Sequence, residues 1–405
     1  MERFALSRMK EWKENENRKP LIIRGARQVG KTWIMKTFGQ QYFEKTAYVN
    51  FDNNARMKQV FEGDLDIERL VLAISAETGV SIEAENTLII FDEVQEVPTA
   101  LTSLKYFYEN APQYAIVAAE SLLGVALHQG TSFPVGKVDF LDLYPLNFRE
   151  FLCAMGEKQF VSMLDSCDTQ MVTVFKTKYI ERLREYYFVG GMPEVVKDFS
   201  EKKDYNRVRA IQKNLINYYQ QDFSKHAEIK LVPRLNLVWN SIPMQLAKEN
   251  KKYIYGQVRE GSRAKDFELA IQWLLDCGLI HKVQRIQKPD LPLKAYIDFD
   301  AFKLFLVDIG LLIAMTDLDA KVIIEGNKIF TEFKGALTEQ YILQQLISDV
   351  GVIPYYYSTQ NSKGEIDFLV QGKTSVIPIE VKAEENLKAK SLKAFCEKYQ
   401  PSYAV

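Results

Sequence analysis

Residues 25–32 read Gly-Ala-Arg-Gln-Val-Gly-Lys-Thr, and no other segment narrows the fold of this chain so far. The pattern G-x-x-x-x-G-K-T makes a phosphate-binding loop when a strand leads in and a helix leads out. Both flanks are present. Leu21-Ile22-Ile23 after Pro20 is a short apolar run suited to a buried strand, and Ile34, Met35 and Phe38 recur at helical spacing beyond Thr32. Gly25 and Gly30 let the backbone close tightly around an anion without a Cβ. The loop Gly25, Ala26, Arg27, Gln28, Val29, Gly30, with Lys31, Thr32 and Trp33 at the helix start, is the expected cradle, its N–H groups turned toward phosphates. Lys31 is expected to reach the β- and γ-phosphates and the Thr32 hydroxyl to ligate Mg²⁺.

A second segment supplies carboxylates. Thr87-Leu88-Ile89-Ile90-Phe91-Asp92-Glu93 is an apolar run ending in two acids, the form of a parallel strand buried on both faces. Ligands of open α/β sheets sit outside the carboxyl ends of the strands. Asp92 is therefore expected to hold Mg²⁺, directly or through its water shell, and Glu93 to polarise the attacking water. Ala47–Phe51, Tyr114–Ala119 and Val138–Leu141 read as further strands of the same sheet. Helical patterns at Met57–Phe61, Ile67–Glu77 and Ala100–Asn110 alternate with them. The expected fold class is α/β, a parallel sheet with helices on both faces. Ser121 ends the run that should neighbour the Asp92 strand, where it would sense a γ-phosphate or serve as a turn serine.

Composition excludes several classes. With 405 residues, 47% hydrophobic and 26% charged, the chain is globular and long enough for several domains. A net charge of −1 gives no general bias toward nucleic acid, so any basic surface has to be local. Cys153, Cys167, Cys277 and Cys396 form no C-x-x-C pair, which argues against a disulfide framework and a zinc ribbon. No run approaches the about 18 apolar residues of a membrane span. Met1-Glu2-Arg3-Phe4 opens no apolar signal region. The expected setting is cytoplasmic, without a membrane partner.

Beyond the nucleotide-binding core of 1–147 the pattern turns helical and aromatic, broken by Gly190-Gly191-Met192-Pro193. It reads as a helical lid over 148–228. Arg149, Arg182, Arg184 and Arg209 are its candidates for a phosphate-sensing arginine. Over 229–318, helices at Leu235–Leu246 and Asp266–Gly278 precede two strand runs, Ile280–Val283 and Ala295–Phe299, the order of a winged helix. Arg259, Arg263 and Lys265 make a modest basic cluster there, equally readable as a solvated face.

The last stretch, 319–405, holds a quieter constellation. Ile366, Phe368 and Val370 share one face of a strand run and Asp367 points to the other. Thirteen residues after Asp367 stands Glu380, in Ile379-Glu380-Val381-Lys382. On the preceding helix, at roughly 100° per residue, Ala336, Ile342, Leu343, Leu346, Ile347 and Val350 form an apolar stripe that includes Glu339. An acid on a core-facing stripe is costly unless it is paired, metal-bound or at the stripe's exposed edge. Helix acid, strand acid and E-x-K are the parts of a metal-dependent phosphodiesterase site. Glu339, Asp367 and Glu380 would hold Mg²⁺ and Lys382 would position water. A hairpin with solvated charges is the alternative. Pro401–Val405 reads as the start of a last strand, so the native chain is expected to continue.

In this order the segments resemble a bacterial and archaeal group of AAA-like ATPases with a C-terminal uncharacterised domain similar to PD-(D/E)xK nucleases. The marks are G-A-R-Q-V-G-K-T at 25–32, F-D-E-V-Q at 91–95, S-F-P-V-G-K at 132–137 and Y-P-L-N-F-R-E-F-L at 144–152. G-G-M-P-E-V-V at 190–196, G-E-I-D-F at 364–368 and I-E-V-K at 379–382 complete them. The resemblance implies ATP and Mg²⁺ at Gly25, Gly30, Lys31, Thr32, Asp92 and Glu93, and a nuclease-like site at Glu339, Asp367, Glu380 and Lys382. It also implies a restriction-endonuclease-like α/β fold for 319–405. One departure stands out: Glu120 precedes Ser121 where a Gly-Ser step is expected, which puts the Ser121 role in question. Two functions follow. One is a Mg-dependent ATPase whose nuclease-like domain acts on or binds DNA. The other is a non-nucleolytic, ATP-dependent switch whose C-terminal domains bind protein partners or further copies of the chain.

Overall fold

The computed structural model describes residues 2–121, 134–248, 251–325, 331–359, 364–383 and 389–405. Ser132 and Phe133 of S-F-P-V-G-K and the Ser121 side chain lie outside the described residues. The chain divides into two compact units, Met1–Tyr144 with Asp276–Gly278, and Pro145–Leu275 with Leu279–Val405.

In the first unit, α1 (Ala5–Glu14) precedes β1 (Leu21–Gly25) and α2 (Lys31–Tyr42) follows it. β2 (Lys45–Asn50), α3 (Ala55–Glu62), α4 (Ile67–Thr78), β3 (Thr87–Asp92), α5 (Pro98–Asn110), β4 (Ala115–Ser121) and β5 (Asp139–Asp142) come next. The five strands form one sheet in the order β2-β3-β4-β1-β5, and every pairing is parallel. β3 is buried along its whole length, as its continuous apolar run requires. Ile22, Ile89, Phe91 and Ile116 of the sheet share a core with Met57, Phe61, Leu70, Leu104 and Phe107 of the helices. Asn54 and Asp66 start α3 and α4 by accepting the N–H groups of Met57 and Arg69. The register sets Gly25 beside Ser121, and Arg24 beside both Glu120 and Asp142. Parallel pairing thus delivers the loop after β1 and the acids after β3 to one carboxyl edge.

The second unit is built on a mixed sheet. β6 (Ile280–Ile286), β7 (Ile297–Leu306), β8 (Tyr355–Ser358), β9 (Glu365–Gln371) and β10 (Val376–Ile379) lie in the order β10-β9-β8-β6-β7. β6 and β8 pair in parallel and the other neighbours antiparallel. This corrects the division expected at 318/319. The β6–β7 hairpin, expected as the wing of a separate winged helix, has its other edge completed by β8, with Arg285 beside Tyr356 and Ile286 beside Tyr357. Hairpin and C-terminal strands are therefore one sheet.

The helical lid expected over 148–228 belongs to this second unit too. The Gly191 N–H donates to Asp308 Oδ2 at 2.6 Å, and Tyr186 Oη donates to the Leu146 carbonyl at 2.6 Å. Gln344 Nε2 donates to Tyr186 Oη at 2.9 Å. The Gly-Gly step is a packing requirement: a Cβ on Gly190 would stand 2.2 Å from Asp308 Oδ1, and one on Gly191 2.1 Å from the Leu146 carbonyl oxygen.

The helix Thr331–Gln345 is bonded to the edge strand β7. The Leu306 N–H donates to Gln340 Oε1 (3.0 Å), and Gln340 Nε2 donates to the Leu306 carbonyl (2.7 Å). A side-chain amide thus occupies the position of a neighbouring strand and covers an otherwise open edge. The apolar stripe differs from expectation. Ala336 and Leu343 are buried, but so are Glu339, Gln340 and Gln344, whereas Val350 is 64% exposed. A π-helical turn at Leu346–Val350 breaks the 3.6-residue period there. β10 ends at Ile379, so Glu380 and Lys382 follow the strand instead of sharing its face. Val405 donates to the Pro378 carbonyl (3.0 Å) and accepts the Glu380 N–H (2.8 Å). Among the described residues no helix is long and apolar enough to cross a membrane.

Candidate functional site

The loop at 25–32 leaves β1 and turns into α2. Gln28 (φ 65°) and Gly30 (φ 94°) take left-handed backbone, and Gly30 caps the helix. Gly25 also meets a packing requirement. Its Cβ would stand 2.3 Å from the Leu143 carbonyl oxygen, because the chain leaving β5 bonds there, Leu143 N–H to the Arg24 carbonyl at 2.7 Å.

Lys31 is buried, and its Nζ donates to the carbonyls of Gly25 and Ala26, each at 2.9 Å. Burial lowers its pKa to about 8, against the opposing pull of Glu93 and Asp92. The Thr32 hydroxyl donates to Asp92 Oδ2 at 2.7 Å. Tyr48 of β2 donates to the same oxygen at 2.8 Å, and the Glu93 N–H donates to Asp92 Oδ1 at 3.1 Å. Burial, and then the bond to Asp92, raises Tyr48 above the usual phenol range. Glu93 adopts left-handed backbone (φ 53°), which turns it off the alternation of β3, and Gln95 Nε2 donates to its Oε2 at 2.5 Å. Such a conformation at a non-glycine residue costs about 1–3 kcal/mol and clusters at functional sites.

Glu120 is 1% exposed, and its Oε2 has no hydrogen-bond partner among the described residues. Burial pushes its carboxyl up to about 7, while Arg24 and Lys31 pull it down. Arg24 itself is committed to Asp142, at 2.9 and 3.1 Å. Trp33, at the loop's far end, is 40% exposed.

Strand, loop, helix and acid pair are therefore assembled as a phosphate site requires. Residues 17–152 match the family model of an AAA domain. The first unit thus carries an AAA-type P-loop fold. Residues 180–322 and 334–405 match two domains of unknown function, DUF8612 and DUF4143. The first of these runs through 228/229, where a domain boundary was expected. No curated protein matches. Among solved structures, a Walker-type ATPase of Pyrococcus abyssi is similar at 14% identity and a TM-score of 0.47, covering 78% of this chain and 95% of that one. The Thermotoga maritima RuvB Holliday junction branch migration motor is similar at 11% identity and a TM-score of 0.32, covering 68% of this chain and 87% of that one. At such values the AAA assignment stands on the segment match, the sheet order and the loop geometry.

The arginines expected as phosphate sensors are engaged within the second unit. Arg149 pairs with Asp165 and Asp349, and Arg182 with Glu157 and Glu185. Arg184 and Arg209 donate to the carbonyls of Ile324 and Leu318.

The nuclease-like set is brought together, but in company the sequence did not announce. Glu339 is 4% exposed. Its Oε1 accepts from Lys251, and its Oε2 from Lys303 at 3.4 Å. Asp367 Oδ2 accepts the Val381 N–H at 2.7 Å. Burial, then the nearby Glu339, raise the Asp367 carboxyl to about 7. Lys382 pairs with Glu380 at 2.5 Å. As they are arranged here, no group of three or more His, Cys, Asp or Glu side chains among the described residues is placed to hold a metal ion. Tyr48, Lys251, Lys303 and Glu365 were missed. For Lys303 a signal existed: it is a lone cation inside the apolar run Ala301–Val307.

Proposed function

We propose that the AAA domain binds ATP with Mg²⁺ and hydrolyses it. The observation that carries this reading is the Thr32–Asp92 contact at 2.7 Å beside the buried Lys31. Mg²⁺ would be held by the Thr32 hydroxyl and the Asp92 carboxylate, an oxygen pair suited to a hard cation, and would neutralise charge on the phosphates. Lys31, bonded to the carbonyls of Gly25 and Ala26, would exchange them for phosphate oxygens. The amide groups from Gly25 to Trp33 would cradle the phosphate chain at the N-terminal end of α2. Glu93, steadied by Gln95, would take the proton of the attacking water. Ser121 remains the candidate γ-phosphate sensor.

Phosphate release is the test. Lys31→Ala is expected to lower turnover by about two orders of magnitude or more. Glu93→Gln should keep ATP binding and lose turnover. A Lys31→Ala protein as active as wild type would remove this reading.

For the second unit we favour a non-nucleolytic module that changes its partner contacts with the nucleotide state. Supporting it, both Glu339 carboxylate oxygens face ammonium groups. Scission of DNA in Mn²⁺ that disappears in Asp367→Ala would sink it.

A further inference from the structure

Four carboxylates and three ammonium groups share one cluster in the second unit. The acids are Glu339 on the helix Thr331–Gln345, Glu365 and Asp367 on β9, and Glu380 just beyond β10. The cations are Lys251, Lys303 on β7 and Lys382. Lys303 is fully buried. Its Nζ is 2.5 Å from Glu365 Oε1 and 3.4 Å from Glu339 Oε2, and it lies 4.9 Å from the centroid of the Tyr356 ring. Lys251 takes the remaining Glu339 oxygen. Both oxygens of the helix acid are thus already neutralised.

The nuclease resemblance implies a divalent cation at these acids, and the residues present do not fit one. Two ammonium groups on Glu339 carry the charge a divalent ion would bring. A metal ion entering the cluster would have to break Lys303 away from both its acids, and a buried ammonium without partners is strongly destabilising. We propose that Lys303 and Lys251 hold the place of a divalent cation among Glu339, Glu365, Asp367 and Glu380, making the cluster a metal-independent ionic clasp.

The charge balance agrees. Four acids face three ammonium groups, so one acid lacks an opposite charge. That acid is Asp367, whose Oδ2 takes the Val381 N–H at 2.7 Å. Lys303 is held above its ordinary pKa in spite of burial, because Glu339, Glu365 and Asp367 face it. Register explains the gathering. Phe368 pairs with Ile379 at the end of β10, the Val381 N–H just beyond donates to Asp367 Oδ2 at 2.7 Å, and Glu365 lies two residues before Asp367 on β9.

The proposal concerns the acids of the non-nucleolytic module but stands on this ammonium geometry alone. Its test is Mn²⁺ binding by the nucleotide-free full chain, read by electron paramagnetic resonance of the free ion. Wild type and Asp367→Asn are expected to bind equal amounts. Lys303→Met is expected to gain a bound Mn²⁺, and Lys303→Met/Asp367→Asn to lose it again. A Mn²⁺ bound by wild type and lost in Asp367→Asn overturns the proposal. So does a Lys303→Met protein with wild-type circular dichroism that gains none. If Lys303→Met does not fold, Lys251→Met, which frees one Glu339 oxygen, takes its place with the same two outcomes. Because metal bound is read and not strand scission, failure here is distinct from failure of the DNA assay.

Discussion

The Thr32 hydroxyl and Asp92 Oδ2 lie 2.7 Å apart although sixty positions separate them in the chain. The contact joins the first turn of α2 to the last residue of β3, across a sheet in which β4 intervenes between β1 and β3. It gives the loop a rigid floor, which Tyr48 of β2 reinforces from the side. Lys31 completes the arrangement by bonding back to its own loop.

That self-bonded Lys31 makes ATP affinity depend on pH. Its ammonium titrates at about 8 in the ligand-free protein. Bound phosphates favour the charged form, so the pKa rises on binding. Below about 8 the proton is already present and affinity is flat. Above it each binding event takes up a proton, and the Kd is expected to rise by about tenfold per pH unit. Calorimetry at pH 7, 8 and 9, in buffers of different ionisation heat, reads both the affinity and the proton uptake. Proton release, or flat affinity up to pH 9, contradicts this account.

Glu120 makes stability depend on pH in a separate window. Its carboxyl titrates at about 7 in the fold, against 4.5 for an ordinary glutamate. The neutral acid is therefore favoured by folding. That stabilisation is full below pH 4.5, fades as pH rises, and is gone above about 7. Glutamine has the same shape and does not ionise. Glu120→Gln is expected to be more stable than wild type at pH 8, by about 3 kcal/mol, and close to level with it at pH 4.5. A gap of equal size at both pH values would show that charge is not the cause.

The loop and its acid were legible because each lies within one contiguous stretch. Gly25–Thr32 fixes its own conformation, and the apolar run into Asp92 declares a buried strand by composition alone. Glu339 was legible as an anomaly, an acid on a buried stripe. What neutralises it was not, since Lys303 lies 36 residues away and Glu365 lies 62 from Lys303. The same reason hid Tyr48, whose role depends on β2 lying beside β3. The division at 318/319 went astray because a hairpin carries no record in its own sequence of what completes its second edge.

The Gly190-Gly191 step should be intolerant of any side chain. Gly190 has φ 74° and ψ −165°, a region open essentially to glycine, and its Cβ would meet Asp308. Gly190→Ala is expected to destabilise the second unit by about 3 kcal/mol or more. Gly156 is the control: its φ is 83°, but among the described residues nothing lies within 4 Å of where its Cβ would stand. Gly156→Ala should cost only about 1 kcal/mol. Thermal melts that rank the two equally would mean that the close approach of Asp308 has been misjudged.

Gln340 offers a test of how the β7 edge is held. Its amide both accepts from and donates to Leu306, and it is fully buried. Gln340→Met removes both bonds and leaves the Leu306 N–H and carbonyl unpaired, at a cost of about 1–3 kcal/mol. Gln340→Glu keeps the acceptor for the Leu306 N–H but sets a carboxylate oxygen against the Leu306 carbonyl and buries a charge. It is therefore expected to destabilise more than methionine at pH 8, and to approach wild type at low pH, where the protonated acid donates as the amide does. Hydrogen exchange at the Leu306 amide reads the local effect directly. Methionine should speed exchange at every pH, whereas the glutamate variant should speed it steeply as pH rises beyond the intrinsic trend. If both variants exchange as wild type does, the helix Thr331–Gln345 is held to β7 by its apolar contacts and not by this amide.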